Sequence, residues 1–159
     1  MTEDFEVSQG KSIGELGKEA LWFVAHTAIA ILTLVVLVAV MAIFKPDPNA
    51  TAPKLLCTLL ALLLPMLVGF FMVKRTNEIA RYVWISGLVI FAVVCVWVLD
   101  LPTGNGLCEH CGALEKLWRT FFDINHGSGL LGGDGLLIGT WIPLALAGYA
   151  LGAKIGTEH

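Results

Sequence analysis

Residues 21–44 read LWFVAHTAIAILTLVVLVAVMAIF, 24 residues without one Asp, Glu, Lys or Arg. As an α-helix this run extends about 36 Å, enough to cross the roughly 30 Å hydrocarbon core of a bilayer. Working outward, three further apolar blocks follow at about residues 55–73, 82–99 and 136–153, and none contains an acidic or basic side chain. They lack the polar/apolar alternation of a barrel strand, and backbone exposed to lipid must satisfy its own hydrogen bonds, so each block reads as a helix. The expectation is an all-α integral membrane protein, a single domain over residues 1–159 with four transmembrane helices in a bundle.

Composition agrees. Hydrophobic residues make up 57% of the 159 and charged residues 14%, with a mean hydropathy of +0.79. A soluble domain carries about a quarter charged residues. The formal net charge of −3 and the lack of a basic stripe give no footprint for nucleic acid.

The acidic tail MTEDFEVSQG precedes Ser12, which with Glu15 fits a capping box and predicts that the first helix starts there. Gly14 and Gly17 weaken that start. The first block is too long for a signal-peptide core and has no basic region before it, so it reads as retained. Lys and Arg in short connectors set orientation. One side holds Lys11, Lys18, Lys74, Arg75, Arg81 and Lys154; the other holds Lys45, Lys54, Lys116 and Arg119. The tight turn VKRTNEIARY concentrates three of these charges. Both termini are therefore expected inside, with the loop at 100–135 outside and the host membrane a bacterial cytoplasmic (inner) membrane. Trp22 and Trp84 would mark inner span ends, and Trp97 and Trp141 outer ones, at headgroup level.

The spans are also informative for what they lack. Intramembrane charges mark ion pathways and proton relays, so a self-contained pump is disfavoured. His26 is the one ionisable exception of note, expected to satisfy itself by a hydrogen bond. Pro65 and Pro143 should bend spans two and four. In the first outer loop, KPDPNATAPK, Asn49-Ala50-Thr51 matches a glycosylation sequon but reads better as a turn of small polar residues. Gly148, Gly152 and Gly156 recur every four residues and permit close helix approach. The partner on that face is either this chain's own bundle or another subunit.

The outer loop carries the remaining candidates. Leu114, Leu117, Trp118 and Phe121 fall at i, i+3, i+4 and i+7, an amphipathic helix expected to lie flat at the membrane interface. Six glycines and two Leu-Leu pairs follow in NHGSGLLGGDGLLIG, either a hinge or a segment that embeds itself. Before the helix stands Cys108-Glu109-His110-Cys111, which admits three chemistries. The thiols can form a structural disulfide in an oxidising compartment. They can exchange disulfides, with His110 lowering a thiol pKa. Or Cys108 and Cys111 can bind a metal such as zinc with His126 or His110, and Asp123.

Cys57 and Cys95 lie toward the outer ends of spans two and three, so all four cysteines sit toward one face. With the bundle size, the outward CxxC and the horizontal helix, this layout resembles the membrane quinone-linked thiol oxidases of the DsbB and vitamin K epoxide reductase type. The resemblance implies electron relay from a thiol partner through a cysteine pair to quinone. It covers architecture: the DsbB type has its CxxC in the first outer loop and a further cysteine pair in the second. Here the first loop has no cysteine and Cys57 and Cys95 lie in spans. The leading expectation is thus a non-catalytic subunit or accessory protein of a larger membrane complex, with a disulfide-pinned outer loop and no cofactor. Its partners would be lipid and another membrane protein or a second copy of itself. The alternatives are a quinone-linked thiol–disulfide oxidoreductase and a metal-binding loop.

Overall fold

A computed structural model describes residues 12–45, 50–73, 78–100, 111–122 and 140–158. Among these the chain is helical throughout, with α1 (Ile13–Phe44), α2 (Thr51–Val73), α3 (Trp84–Asp100), α4 (Ala113–Phe121) and α5 (Ile142–Glu158). A short 3-10 turn, Glu78–Tyr82, leads into α3.

The capping box at the start of α1 is formed: the Glu15 amide donates to Ser12 Oγ at 3.3 Å, and the Ser12 amide donates to Glu15 Oε2 at 3.0 Å. At the other end Lys45 turns left-handed (φ 43°) and its amide closes on the Met41 carbonyl. Pro46 follows, and a residue before proline is biased away from helix. α1, α2 and the segment Ile79–Asp100 are each long and apolar enough to cross a membrane. α5 covers 17 residues from Ile142, and residues 140 and 141 continue it as a π turn, so Pro143 lies within the helical stretch that starts the described part of the fourth block. α2 runs unbroken through Pro65.

α5 is the hub. Trp141, just before it, packs with Ala145 against Leu34 and Leu37 of α1 and Cys57 and Ala61 of α2. One to three turns further on, Leu146, Tyr149 and Ala153 pack with Ala30, Val73, Ala80 and Val83. A Cβ built on Gly148, Gly152 or Gly156 would run into the carbonyl of Leu62, Met66 or Phe70 respectively. Both sets advance by four residues together, so α2 and α5 run parallel and in register. In return, a Cβ on Gly69 would strike the Tyr149 carbonyl. Small residues here let two backbones touch, which is how helices associate where lipid removes the hydrophobic drive. The glycine face is turned onto α2 of the same chain.

α4 doubles back along α3. Lys116 Nζ donates to the Leu99 carbonyl at 3.4 Å; Leu117 and Phe121 pack with Val94, Val98 and Cys95. The Phe121 ring lies 4.9 Å from that of Phe91, centroid to centroid. As α4 advances its contacts retreat along α3, so the two are antiparallel. Thr140 Oγ1 then donates to the Phe121 carbonyl at 3.4 Å, which sets the approach to α5 beside the end of α4.

Candidate functional site

The residues expected to carry chemistry divide between what the structure describes and what it does not. Cys108, His110, Asp123 and His126 lie outside the described residues, as does the segment 123–139. Cys111 stands two residues before α4, half-buried. Among the described residues Cys57 and Cys95 are the free thiols. They sit in different packing clusters: Cys57 lies under Trp141 in the α1–α2–α5 core, and Cys95 in the α3–α4 seam. Cys57 Sγ donates weakly to Met41 Sδ at 3.5 Å. The structure brings neither of these sulfurs to the other. No group of three or more His, Cys, Asp or Glu gathers among the described residues.

α4 differs from the flat helix expected. The four residues assigned to one interfacial face separate: Phe121 is buried and Leu117 half-buried against α3. Leu114 and Trp118 face outward at 82% and 58% exposure. Phe122 joins them at 59%, so the outward stripe is Leu114, Trp118, Phe122 at i, i+4, i+8. The Trp118 and Phe122 rings lie 5.2 Å apart. The helix turns Lys116 and Thr120 inward, both buried, with the Thr120 hydroxyl donating to the Lys116 carbonyl at 2.8 Å. Beside the stripe, Arg119 pairs with Glu115 at 2.8 Å across one turn.

An apolar hollow of about 290 Å³ opens where α3, α4 and α5 meet. Trp84, Leu88 and Phe91 of α3 form one wall, Phe121 and Phe122 the second, and Thr140, Pro143 and Ala147 the third.

Two buried groups revise the sequence reading of the interior. His26 is fully buried, and its Nδ1 lies 2.6 Å from the Tyr149 hydroxyl of α5. Trp22 stacks on its other side at 5.8 Å. The hydrogen bond expected for His26 exists, but its partner is 123 residues away in sequence. Tyr149 was not singled out from the sequence, although a lone phenol within a run of Gly, Ala and Leu is itself a cue. Trp141, expected at headgroup level, is 1% exposed and donates Nε1–H to Thr58 Oγ1 at 3.4 Å. It is a core residue because it stands level with Cys57, more than a turn past the start of α2. Trp22, Trp84 and Trp97 lie on the outer surface of the bundle. Lys54, placed in a connector by the sequence reading, belongs to the first turns of α2 and is 2% exposed.

No family model, no curated protein and no solved structure matches this chain.

Proposed function

We propose that this chain is a four-span, non-catalytic subunit of a larger membrane assembly and that α4 is its contact surface. A Cys108–Cys111 disulfide pins the loop before α4, both termini lie inside, and α4 faces the outer half of a bacterial cytoplasmic membrane. The observation that carries the reading is the setting of α4. α4 already packs Leu117 and Phe121 onto α3 with Lys116 and Thr120 turned inward, and still presents a second apolar stripe, Leu114, Trp118 and Phe122, outward. The stripe lies beside the Glu115–Arg119 pair, and an aromatic anchor flanked by arginine is the composition enriched where proteins meet. α5 supports the fourth crossing: it runs parallel to α2, and apolar Leu136, Leu137 and Ile138 precede it in sequence. Cys111 is not among the free thiols Cys57 and Cys95, which accords with a pinned loop.

The test is purification in mild detergent with mass spectrometry of what accompanies the chain. A membrane protein retained by the unaltered chain should be lost from Trp118→Ser/Phe122→Ser, while the variant stays monodisperse. Retention of the same protein by both would remove α4 as the contact. Ion flux through the chain reconstituted by itself would sink the subunit reading, since it assigns no conduction pathway to these spans.

A further inference from the structure

We infer that the hollow between α3, α4 and α5 binds one acyl chain of a membrane phospholipid. This goes beyond the subunit reading and shares with it only that α3 crosses a bilayer. Depth identifies the surroundings. Leu88 and Phe91 lie along the apolar run 82–99, within a segment long and apolar enough to cross a membrane. Counted from Tyr82 at 1.5 Å per residue, they fall roughly 9–14 Å into it, inside a hydrocarbon core of about 30 Å. Whatever enters the hollow comes from hydrocarbon, and the exposed side chains of Ile85, Leu88 and Val89 continue its wall out onto the lipid-facing surface.

Polarity selects the occupant. The lining surface is almost entirely carbon. Its one hydroxyl, on Thr140, already gives its hydrogen to the Phe121 carbonyl. A quinone carbonyl, a sterol hydroxyl or a headgroup would meet almost no polar surface there, and burying such a group without a partner is costly. An aliphatic chain makes no such demand. It also restores the dispersion contacts that an empty hollow forfeits.

The experiment reconstitutes the full chain in phosphatidylcholine vesicles, re-extracts it in mild detergent and counts retained phospholipid by native mass spectrometry. One phospholipid should remain on the unaltered chain and on Val36→Phe, a control on the outward face of α1. It should be lost from Ala147→Phe and from Leu88→Trp, which fill the hollow from opposite walls. Phosphatidylcholine brominated at mid-chain gives a second measurement on the unaltered chain: tryptophan quenching that persists after extraction, through Trp84. The proposal is overturned if the unaltered chain keeps no lipid, if folded filling variants keep it equally, if quenching vanishes on extraction, or if a quinone is retained instead. Loss of an accompanying protein from Trp118→Ser alone, a side chain that does not line the hollow, bears on the subunit reading and leaves this lipid count untouched.

Discussion

The seam between α2 and α5 sets backbone against backbone through Gly148, Gly152 and Gly156. The seam between α3 and α4 is chiefly side chains, with Leu117 and Phe121 laid on Phe91, Val94 and Val98. The first tolerates no added atom, because a carbonyl group cannot move aside without moving its helix. The second leaves room on both sides, a hollow beneath and an exposed stripe above. Close packing thus belongs to the part of the chain that holds the bundle together, and looser packing to the part proposed to meet other molecules.

The comparison breaks most decisively at Gly152. Gly152→Leu drives a side chain into the Met66 carbonyl and should cost about 3 kcal/mol or more. The result would be aggregation or a sharply lowered midpoint in thermal unfolding followed by size exclusion. A stable, monodisperse Gly152→Leu would mean that the two backbones do not touch.

At the α4 end, Cys108→Ser with Cys111→Ser should remove about 2 kcal/mol at most, since closing so short a loop restricts few unfolded conformations. The loss should show as earlier melting under oxidising conditions and disappear when both proteins are reduced. Either single variant should carry no reductant-sensitive adduct. A reproducible adduct on one would favour the thiol-exchange chemistry over the pinned loop.

Tyr149→Phe tests whether the middle of α5 depends on polar as well as small contacts. It deprives His26 of its partner, and helix-to-helix hydrogen bonds in membranes average about 0.6 kcal/mol with a maximum near 1.7. A loss in that range is expected, partly recovered by His26→Phe/Tyr149→Phe in the same melt. Full additivity of the two single changes would show that the pair does not interact.

The smallest effect on stability belongs to the outward stripe. Trp118→Ser should change the melt by less than about 0.5 kcal/mol, as exposed substitutions do. A large loss would show that the indole is packed and that α4 is part of the core.

The legible parts of the molecule were those written in local pattern. The Ser12 cap needs only a residue three positions away, and the apolar blocks need only their neighbours, so α1, α2 and α3 followed from sequence. The face of α4 did not. Its periodicity marks Leu114, Leu117, Trp118 and Phe121 as one stripe, but which edge turns inward depends on α3. The groups that lie against it, Leu99 for Lys116 and Phe91 for Phe121, are 17 and 30 residues earlier. Trp141 was misplaced for a similar reason: its depth depends on where α5 starts relative to α2, which hydropathy does not record. The glycine repeat announced a close approach and left its recipient open, because Leu62, Met66 and Phe70 offer backbone rather than any distinctive side chain.

The parallel register of α2 and α5 has a consequence for how the chain is made. Synthesis proceeds from the N-terminus at about 5–20 residues per second. Some 85 residues separate Val73 at the end of α2 from Glu158 at the end of α5, so roughly 4–17 seconds pass between the emergence of the two helices. Throughout that interval the carbonyl row of α2 has no glycine face to meet, and much of the core that will bury α1 and α2 does not yet exist. The bundle therefore closes late, on its last helix. A ribosome that stalls before α5 leaves separate spans in the bilayer, with the Leu62, Met66 and Phe70 ridge exposed to whatever surveillance the membrane provides.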